Sequence, residues 1–189
     1  MQKLKNRICW YKIVDTHLKN KKRSTLTWNV FFICQRMNAL LTQIVGTWFI
    51  IGTNFPMWLK GDKQSPSFTY TLTQRKGRDV LLDEVKYLKK GKTKTIIGYD
   101  RPDEKKQNAF VWRGKGLLAI AKSNWEIKLM DPQGNWAVIW FSKTLFTPEG
   151  IDIISRKQHL DEATLLEIKN KIMQDPVLKK QLETLTILE

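Results

Sequence analysis

The stretch IVGTWFIIGTNFPMW, residues 44–58, contains a strand-like run that opens with Gly46 two residues before Trp48. Gly-x-Trp is short enough to occur by chance in any chain. It is informative only if the rest of the sequence supplies partners for this strand. The runs that follow it supply them.

Further runs rich in β-branched and aromatic residues follow this first one, and Gly or Pro residues interrupt the segments between them. With TWFIIGTN (47–54) they are SFTYTLTQ (67–74), VLLDEVKYL (80–88), KTIIGY (94–99), NAFVWR (108–113), NWEIKLM (124–130), NWAVIWF (135–141) and IDIISR (151–156). Most gaps are hairpin-sized, so neighbours in sequence should be neighbours in the sheet. Because a closed barrel removes open strand edges, we predict an all-β fold: an eight-stranded antiparallel up-and-down β-barrel.

A helix is predicted after the last strand. Asp161 is suited to the N-cap, and Leu165, Ile168 and Ile172 form one apolar face at spacings of three and four. Pro176 follows Asp175 at the end of this helix and can begin a second short one. Since an isolated helix of this length is marginal in water, its apolar face should pack on the outer wall of the barrel.

The positive charge of the chain is unevenly distributed. Of a net +15 over 189 residues, residues 1–45 hold nine Lys or Arg and one acid, while the other 144 residues hold 24 bases and 17 acids, a net of +7. We therefore predict a mobile basic extension over residues 1–36, or a segment upstream of a true start at Met37, and a barrel domain with its C-terminal helix over residues 37–189. The apolar run at 26–34 is too short to span a bilayer and gives no convincing signal peptide or lipobox. Cys9 and Cys34 lie in the extension, so the compartment stays open.

Together these features resemble the lipocalin family, and within it the bacterial lipocalin and apolipoprotein D-like group, over about residues 37–175. The resemblance is carried by Gly46-x-Trp48, by NWEIKLMDPQGNWAVIWF (124–141) and by IDIISRKQHLDEATLLEIKNKI (151–172). It implies that Gly46, Trp48 and Arg156 form a structural motif at the barrel floor, where the guanidinium packs on the indole for a gain of about 0.5–2 kcal/mol. The turn Gly134-Asn135 departs from the Asp-Tyr motif of many lipocalins, so no partner-binding role is carried over from it. Family members are often periplasmic or membrane-anchored.

The resemblance also implies the binding, transport or storage of a small hydrophobic ligand inside the barrel. Alternation predicts inward faces for Gly52, Leu72 and Leu129 and for the candidate ligand-binding residues Ile50, Phe68, Tyr70, Phe110, Trp112, Trp125, Ile127 and Trp140. A one-residue slip would exchange the two faces of a strand. In the seventh run the alternative inward set is Ala137, Ile139 and Phe141, because both faces are apolar.

The loops after the first, third, fifth and seventh strands should share the end opposite Trp48, which is the mouth of the barrel. They hold nine bases and two acids, and the candidate mouth cations are Lys60, Lys63, Lys90, Arg113, Lys115 and Lys143. We predict a single-chain amphiphile, such as a fatty acid or lysophospholipid, with its tail inside and its anionic head among these cations. Apolar residues in the same loops (55–59, 117–120 and 145–146) also suit an anionic membrane surface.

Other functional classes have less support. The histidines are His17 and His159, and the adjacent carboxylates Asp83 and Glu84 should point to opposite faces of a strand. We therefore predict no enzyme, no catalytic residues, no metal site and no cofactor, with a lipocalin-fold enzyme as an alternative. The tryptophans lie among aliphatic residues, which argues against specific nucleic-acid binding, although the basic extension could bind nucleic acid by charge alone.

Overall fold

In a computed structural model of the protein, the described residues are 40–145 and 147–188. The chain divides into two units, residues 1–42 and 43–189, and the second contains the whole sheet. The predicted basic extension over residues 1–36 lies outside the described residues. Its boundary with a domain at 37–189 stays a prediction.

In the described part of the chain, nine antiparallel strands form one sheet that closes on itself. The long strands are β1 (Gly46–Thr53), β2 (Gln64–Arg75), β3 (Arg78–Lys89), β4 (Lys92–Pro102), β5 (Ala109–Gly114), β6 (Lys122–Met130), β7 (Trp136–Phe141) and β8 (Gly150–Ser155). Each pairs with the next along the chain, and β1 also pairs with β8, which closes the barrel. The predicted eight-stranded up-and-down barrel is confirmed. A short strand that was not predicted, β9 (Thr186–Ile187), pairs with β1.

Residues 40–44, just before β1, are helical, and the other described helices lie between strands and after the barrel. A single turn, α1 (Pro56–Leu59), separates β1 from β2, and a 3-10 turn (Gly116–Ile120) separates β5 from β6. The C-terminal helix is α2 (Glu162–Gln174), and α3 (Pro176–Lys179) follows it directly. None of the helices in the described ranges is long and apolar enough to cross a bilayer.

The C-terminal helix packs on the outside of the barrel, as predicted. Asp161 caps it, accepting a hydrogen bond from the Thr164 amide at 2.8 Å. Its buried residues belong to what we call the outer cluster, which consists of Ile51, Trp136, Val138, Ile151, Ile153, Ile168, Ile172 and Leu178. This cluster buries the outward faces of β7 and β8 as well as the apolar face of the helix, so β7 is apolar on both sides, whereas Asp152 interrupts the inward face of β8.

Two β-bulges decide which side chains of β1 and β6 face inward. The register shifts between Ile50 and Gly52 in β1, and between Ile127 and Leu129 in β6. Because an extra residue reverses the alternation, the predicted inward positions of Gly52 and Leu129 are wrong. A Cβ on Gly52 would lie 3.2 Å from Ile153 in the outer cluster, and Leu129 packs against that cluster. Leu72 is on the same face of β2 as Phe68 and Tyr70, as predicted, but it lies near the end of the barrel and its side chain is exposed.

The start of β1 closes one end of the barrel with a tryptophan. Trp48 is fully buried, and its indole N–H donates a hydrogen bond to the Ile44 carbonyl at 2.7 Å. The guanidinium carbon of Arg156 lies 3.6 Å from the centre of the Trp48 ring. This is the pair that the family resemblance implied, and it joins β1 to Arg156, the residue that follows β8.

The same guanidinium holds the turn that leads into β1. It donates hydrogen bonds to the carbonyls of Gln43, Val45 and Thr47 at 2.7, 2.9 and 3.0 Å. Gly46 has a φ of +105°, which disfavours any other residue, and a Cβ there would lie 2.9 Å from Arg156 Nη1. Gly46, Trp48 and Arg156 thus form one unit, which we call the floor motif.

Candidate ligand-binding site

A cavity of about 210 Å³ lies at the end of the barrel opposite the floor motif. Inward-facing strand residues form its walls, and residues of the loops after β1, β5 and β7 border it, among them Met57, Ala121 and Thr147. The lining is rich in aromatic side chains, which are Phe55, Trp58, Phe68, Tyr70, Trp112, Trp125 and Phe141. An apolar, concave and largely preformed space of this kind is the usual form of a small-molecule site.

A row of stacked rings forms one side of this cavity. Trp125 stacks on Phe110 with ring centres 4.3 Å apart and on Tyr70 with centres 5.8 Å apart. Tyr70 in turn stacks on Phe68 at 6.0 Å. Each ring limits the rotation of the next, which favours a preformed wall; Phe110 supports Trp125 from outside the lining.

The barrel interior also contains three buried aspartates. Asp83 on β3 and Asp152 on β8 line the cavity, whereas Asp100 on β4 lies beside it and accepts a hydrogen bond from the Trp125 indole at 2.6 Å. Oδ1 of Asp83 and Oδ1 of Asp152 have no hydrogen-bond partner among the described residues. Within the same ranges, none of the three carboxyls forms an ion pair with a Lys or Arg.

Burial shifts the titration of these groups. It raises the pKa of Asp152 to about 7, with a smaller opposing effect from the Thr53 hydroxyl. It likewise raises the pKa of Asp100 to about 7 against the hydrogen bond from Trp125. Burial and the charge of Asp100 raise the pKa of Asp83 well above its ordinary value. Burial, and after it the charges of all three acids, also raise the pKa of Tyr70.

The backbone of this chain is similar to those of several solved structures, although the sequence matches no protein-family model and no curated protein. Apocrustacyanin A1 from lobster aligns at 13% identity with a TM-score of 0.56, covering 80% of this chain and 83% of that one. Apocrustacyanin C2 aligns at 12% identity and a TM-score of 0.58 with the same coverage. The siderocalin Ex-FABP aligns at 15% identity and a TM-score of 0.57, covering 77% of this chain and 93% of that one.

This chain has the lipocalin fold. The closed eight-stranded barrel and the C-terminal helix are the features that it shares with these neighbours. Identities of 12 to 15% establish the fold alone, so the bacterial lipocalin and apolipoprotein D-like subgroup stays a prediction.

The residues predicted to bind ligand fall into three groups in this lipocalin barrel. Phe68, Tyr70, Trp112 and Trp125 line the cavity. Ile50, Phe110 and Ile127 are buried outside its lining. Trp140 is on the outer face of β7, where it packs against the outer cluster and has Lys106 and Lys128 over its ring.

The position of Trp140 differs from the prediction for a simple reason. Both faces of β7 are apolar, since one faces the interior and the other meets the C-terminal helix. The alternative set is the inward one: Ala137 and Ile139 are fully buried, and Phe141 lines the cavity. Alternation alone could not choose between the two sets.

The predicted mouth cations lie in or beside the loops at the cavity end of the lipocalin barrel. Lys63 is half-buried, 5.9 Å from the Trp58 ring centre and 5.6 Å from that of Tyr87. The others, Lys60, Lys90, Arg113, Lys115 and Lys143, are exposed. Lys89 pairs with Asp62 at 2.7 Å, and Lys122 at the start of β6 lines the cavity.

Sequence reasoning missed the interior acids. Asp83 and Glu84 do point to opposite faces, as expected of neighbours on a strand, but Asp83 lines the same cavity as Asp152 from a distant strand. Asp100 follows the predicted run at 94–99 and lies on β4, directly opposite Trp112 of β5. The available signal was weak: in IDIIS, residues 151–155, a lone aspartate interrupts an otherwise apolar run.

Proposed function

We propose that this chain is a carrier that binds a small, largely apolar ligand in the cavity of its barrel. The observation that supports this most is the preformed aromatic cavity at one end of the barrel, with the other end closed by Trp48. The siderocalin Ex-FABP, which has the same fold, is described as functioning through dual ligand specificities. Burial of apolar ligand surface would supply most of the affinity, at about 25 cal/mol per Å² before entropic losses.

The size of the cavity favours a compact ligand over a long chain. Its volume of about 210 Å³ is below the roughly 300–1,000 Å³ typical of sites for drug-sized ligands. An alkyl tail would also leave the unpartnered oxygens of Asp83 and Asp152 without hydrogen bonds. A fatty acid or lysophospholipid, with its head near Lys122 and Lys63, therefore ranks behind a compact ligand.

Blocking the cavity entrance tests the carrier function. Ala121 lines the cavity and is only half-buried, so Ala121→Trp should fill the entrance without disturbing the core. We expect this variant to weaken binding of prodan, a small neutral fluorophore, by about tenfold or more, the factor for losing roughly 1.4 kcal/mol of contact. Fluorescence titration measures the affinity, with palmitate and lysophosphatidylcholine as competitors.

The matched control is Ala163→Trp, the same substitution at an exposed position on α2, remote from the cavity lining. It should bind prodan as the unaltered chain does. Equal affinities for the two variants would show that the dye binds elsewhere, and the proposal would then be abandoned.

A second candidate function is docking on an anionic membrane through the mouth. Leu117, Ile120 and Leu145 are 98, 83 and 90% exposed in two loops at this end of the barrel. Lys115 lies two residues before Leu117 and Lys143 two before Leu145, and both lysines are exposed as well. Apolar residues that insert beside cations suit an anionic bilayer, to which each cation contributes about 1 kcal/mol.

Vesicle cosedimentation distinguishes membrane docking from the alternative that the mouth cations only keep the protein soluble. The double variant Lys115→Ala and Lys143→Ala should weaken binding to phosphatidylserine-containing vesicles by roughly 30-fold, since two cations contribute about 2 kcal/mol. Leu117→Asp should also weaken it, whereas Leu166→Asp, at a 60%-exposed position on α2, should not. Equal binding to neutral and anionic vesicles would show that the cations do not contribute to membrane binding.

A further inference from the structure

One buried acceptor and one buried donor in the cavity wall lack a hydrogen-bond partner among the described residues. They are Oδ1 of Asp83 on β3 and the indole N–H of Trp112 on β5, and both side chains line the cavity. A buried polar group without a partner costs about 1–3 kcal/mol. Two such groups at the wall of one cavity are characteristic of a site that a ligand or a water molecule completes.

The strand register places this donor beside this acceptor. Asp83 lies directly opposite Gly98 of β4, and the Trp112 ring covers Gly98 from the next strand. A Cβ on Gly98 would overlap the indole nitrogen and lie 2.6 Å from Cζ2 of the same ring. Because the Cβ positions of directly opposite residues are about 4.5–5.5 Å apart, the indole N–H occupies the space next to the Asp83 carboxyl. The missing side chain of Gly98 allows the two groups to lie side by side.

The electrostatics of Asp83 agree with this placement. Burial, and after it the charge of Asp100, raise the pKa of Asp83, while the Trp112 N–H opposes that rise. The N–H therefore acts on the carboxyl, although the two groups do not reach the geometry of a direct hydrogen bond. The acids whose charges raise this pKa are Asp100 and Glu84, and Asp152 is not one of them. Asp152 is thus a separate acid of the cavity lining.

An adjacent donor and acceptor determine which polar group fits between them. A hydroxyl accepts one hydrogen bond and donates another, so it satisfies both groups. An ammonium only donates, which leaves the Trp112 N–H unpaired, and a carboxylate only accepts and is repelled by Asp83. The match to a hydroxyl does not depend on the ionisation of Asp83, because a protonated carboxyl keeps an oxygen that can accept.

We propose that the ligand of this cavity is a compact, neutral alcohol or phenol whose hydroxyl donates to Asp83 and accepts from Trp112. This inference rests on the proposed carrier function and names its ligand class. The apolar part of the ligand lies against the other aromatic side chains of the lining, among them Trp58 and Phe68. Both hydrogen bonds form in an interior of low dielectric, where they are stronger than in water.

Displacement of prodan by three probes of similar shape tests the ligand class. The probes are 2-phenylethanol, propylbenzene, in which a methyl group replaces the hydroxyl, and phenethylamine, which is protonated at about pH 7. The prodan affinity of each variant is measured first, so that displacement gives a dissociation constant for every probe. Water solvates the alcohol and propylbenzene differently, so the ratio of their dissociation constants is compared between variants, where this difference cancels. Phenethylamine should bind the unaltered chain more weakly than the alcohol.

Two variants remove the two polar groups one at a time. Asp83→Leu keeps the branching of the side chain without an acceptor, and it should raise the ratio of alcohol to propylbenzene dissociation constants by about tenfold. Trp112→Phe removes the N–H and should raise the same ratio by about fivefold, the factor for one neutral hydrogen bond. If Asp83→Leu does not fold, Trp112→Phe alone decides the test.

The matched controls are the same substitutions at two other residues of the cavity lining, Asp152→Leu and Trp58→Phe. Each changes the cavity for both probes alike, because neither residue belongs to the pair that holds the hydroxyl. Both variants should keep the ratio of the unaltered chain.

The outcomes separate this inference from the carrier function. If neither Asp83→Leu nor Trp112→Phe raises the ratio, water completes the pair, and the hydroxyl site is refuted while the apolar cavity stands. A rise in only one of two folded variants refutes the two-point contact. Equal rises in the control variants, or tighter binding of phenethylamine than of the alcohol, refute the hydroxyl site as well. If prodan and propylbenzene both fail to bind the unaltered chain, the carrier function falls too.

Discussion

The free energy of unfolding is expected to fall as the pH rises from about 4 to about 7, because three aspartates are buried inside the barrel without cations. The pKa of Asp152 and of Asp100 rises from 3.8 to about 7 on burial, and that of Asp83 rises well above 3.8. A carboxyl that binds its proton more tightly in the folded state stabilises the fold fully below its unfolded pKa. That stability is lost as the pH rises through the folded pKa and is constant above it. For one independent group shifted to about 7, the loss is on the order of 4 kcal/mol.

Urea unfolding at a series of pH values measures this loss. Asp152→Asn should be more stable than the unaltered chain by a few kcal/mol at about pH 8 and similar to it at about pH 4. Glu162→Gln, at an exposed carboxyl of α2, should leave the pH profile unchanged. Asp62 and Asp161, which are exposed, and Asp103, which is half-buried, have lowered pKa values, so their contribution is present above about 3.8 and is lost only below it. A flat profile between about pH 4 and 7 would contradict the prediction.

Removal of the floor guanidinium is expected to destabilise the barrel by about 2–4 kcal/mol. Arg156→Ala deletes three hydrogen bonds to main-chain carbonyls and the contact with Trp48 at 3.6 Å. Hydrogen bonds to a charged group contribute about 1.5–3 kcal/mol each when buried, and less here because the guanidinium is partly exposed. Arg156→Lys should recover little, since an ammonium cannot reach three carbonyls and cover an indole at once.

A second arginine on an aromatic ring provides the control for the floor motif. Arg75 is exposed and lies 4.1 Å from the centre of the Tyr99 ring. Arg75→Ala should cost about 1 kcal/mol or less in the same urea titration, because an exposed cation–π contact is weak. If the two variants lost equal stability, the floor motif would be an ordinary surface contact.

The buried aspartates inside the barrel change the predicted ligand class and leave the predicted fold unchanged. The sequence predicted an anionic amphiphile from cations in the mouth loops, and most of those cations are exposed at that end. The cavity wall itself carries Asp83 and Asp152, which repel an anion and accept hydrogen bonds. Charge counted over loops describes the entrance, whereas the ligand class depends on the few groups that face the cavity.

Features that depend on local pattern were predictable. The eight runs of β-branched and aromatic residues, the short gaps between them and the Asp161 cap all follow from residue propensity and spacing. The partnership of Trp48 with Arg156 was expected from the family resemblance. The sequence also predicted that the C-terminal helix packs on the outer wall of the barrel, because its apolar face has to be buried.

By itself, the sequence determined the barrel and its order of strands, because hairpin-length gaps leave a chain few other ways to pair its strands. Only the tertiary structure decided which side chains enter the cavity. Bulges in β1 and β6 reversed the faces of Gly52 and Leu129, and β7 is apolar on both faces, so Trp140 could have pointed either way. Asp83 and Asp152 line one cavity from strands that are far apart in the chain. That arrangement depends on closure of the barrel, which brings β8 back to β1, and no local pattern encodes it.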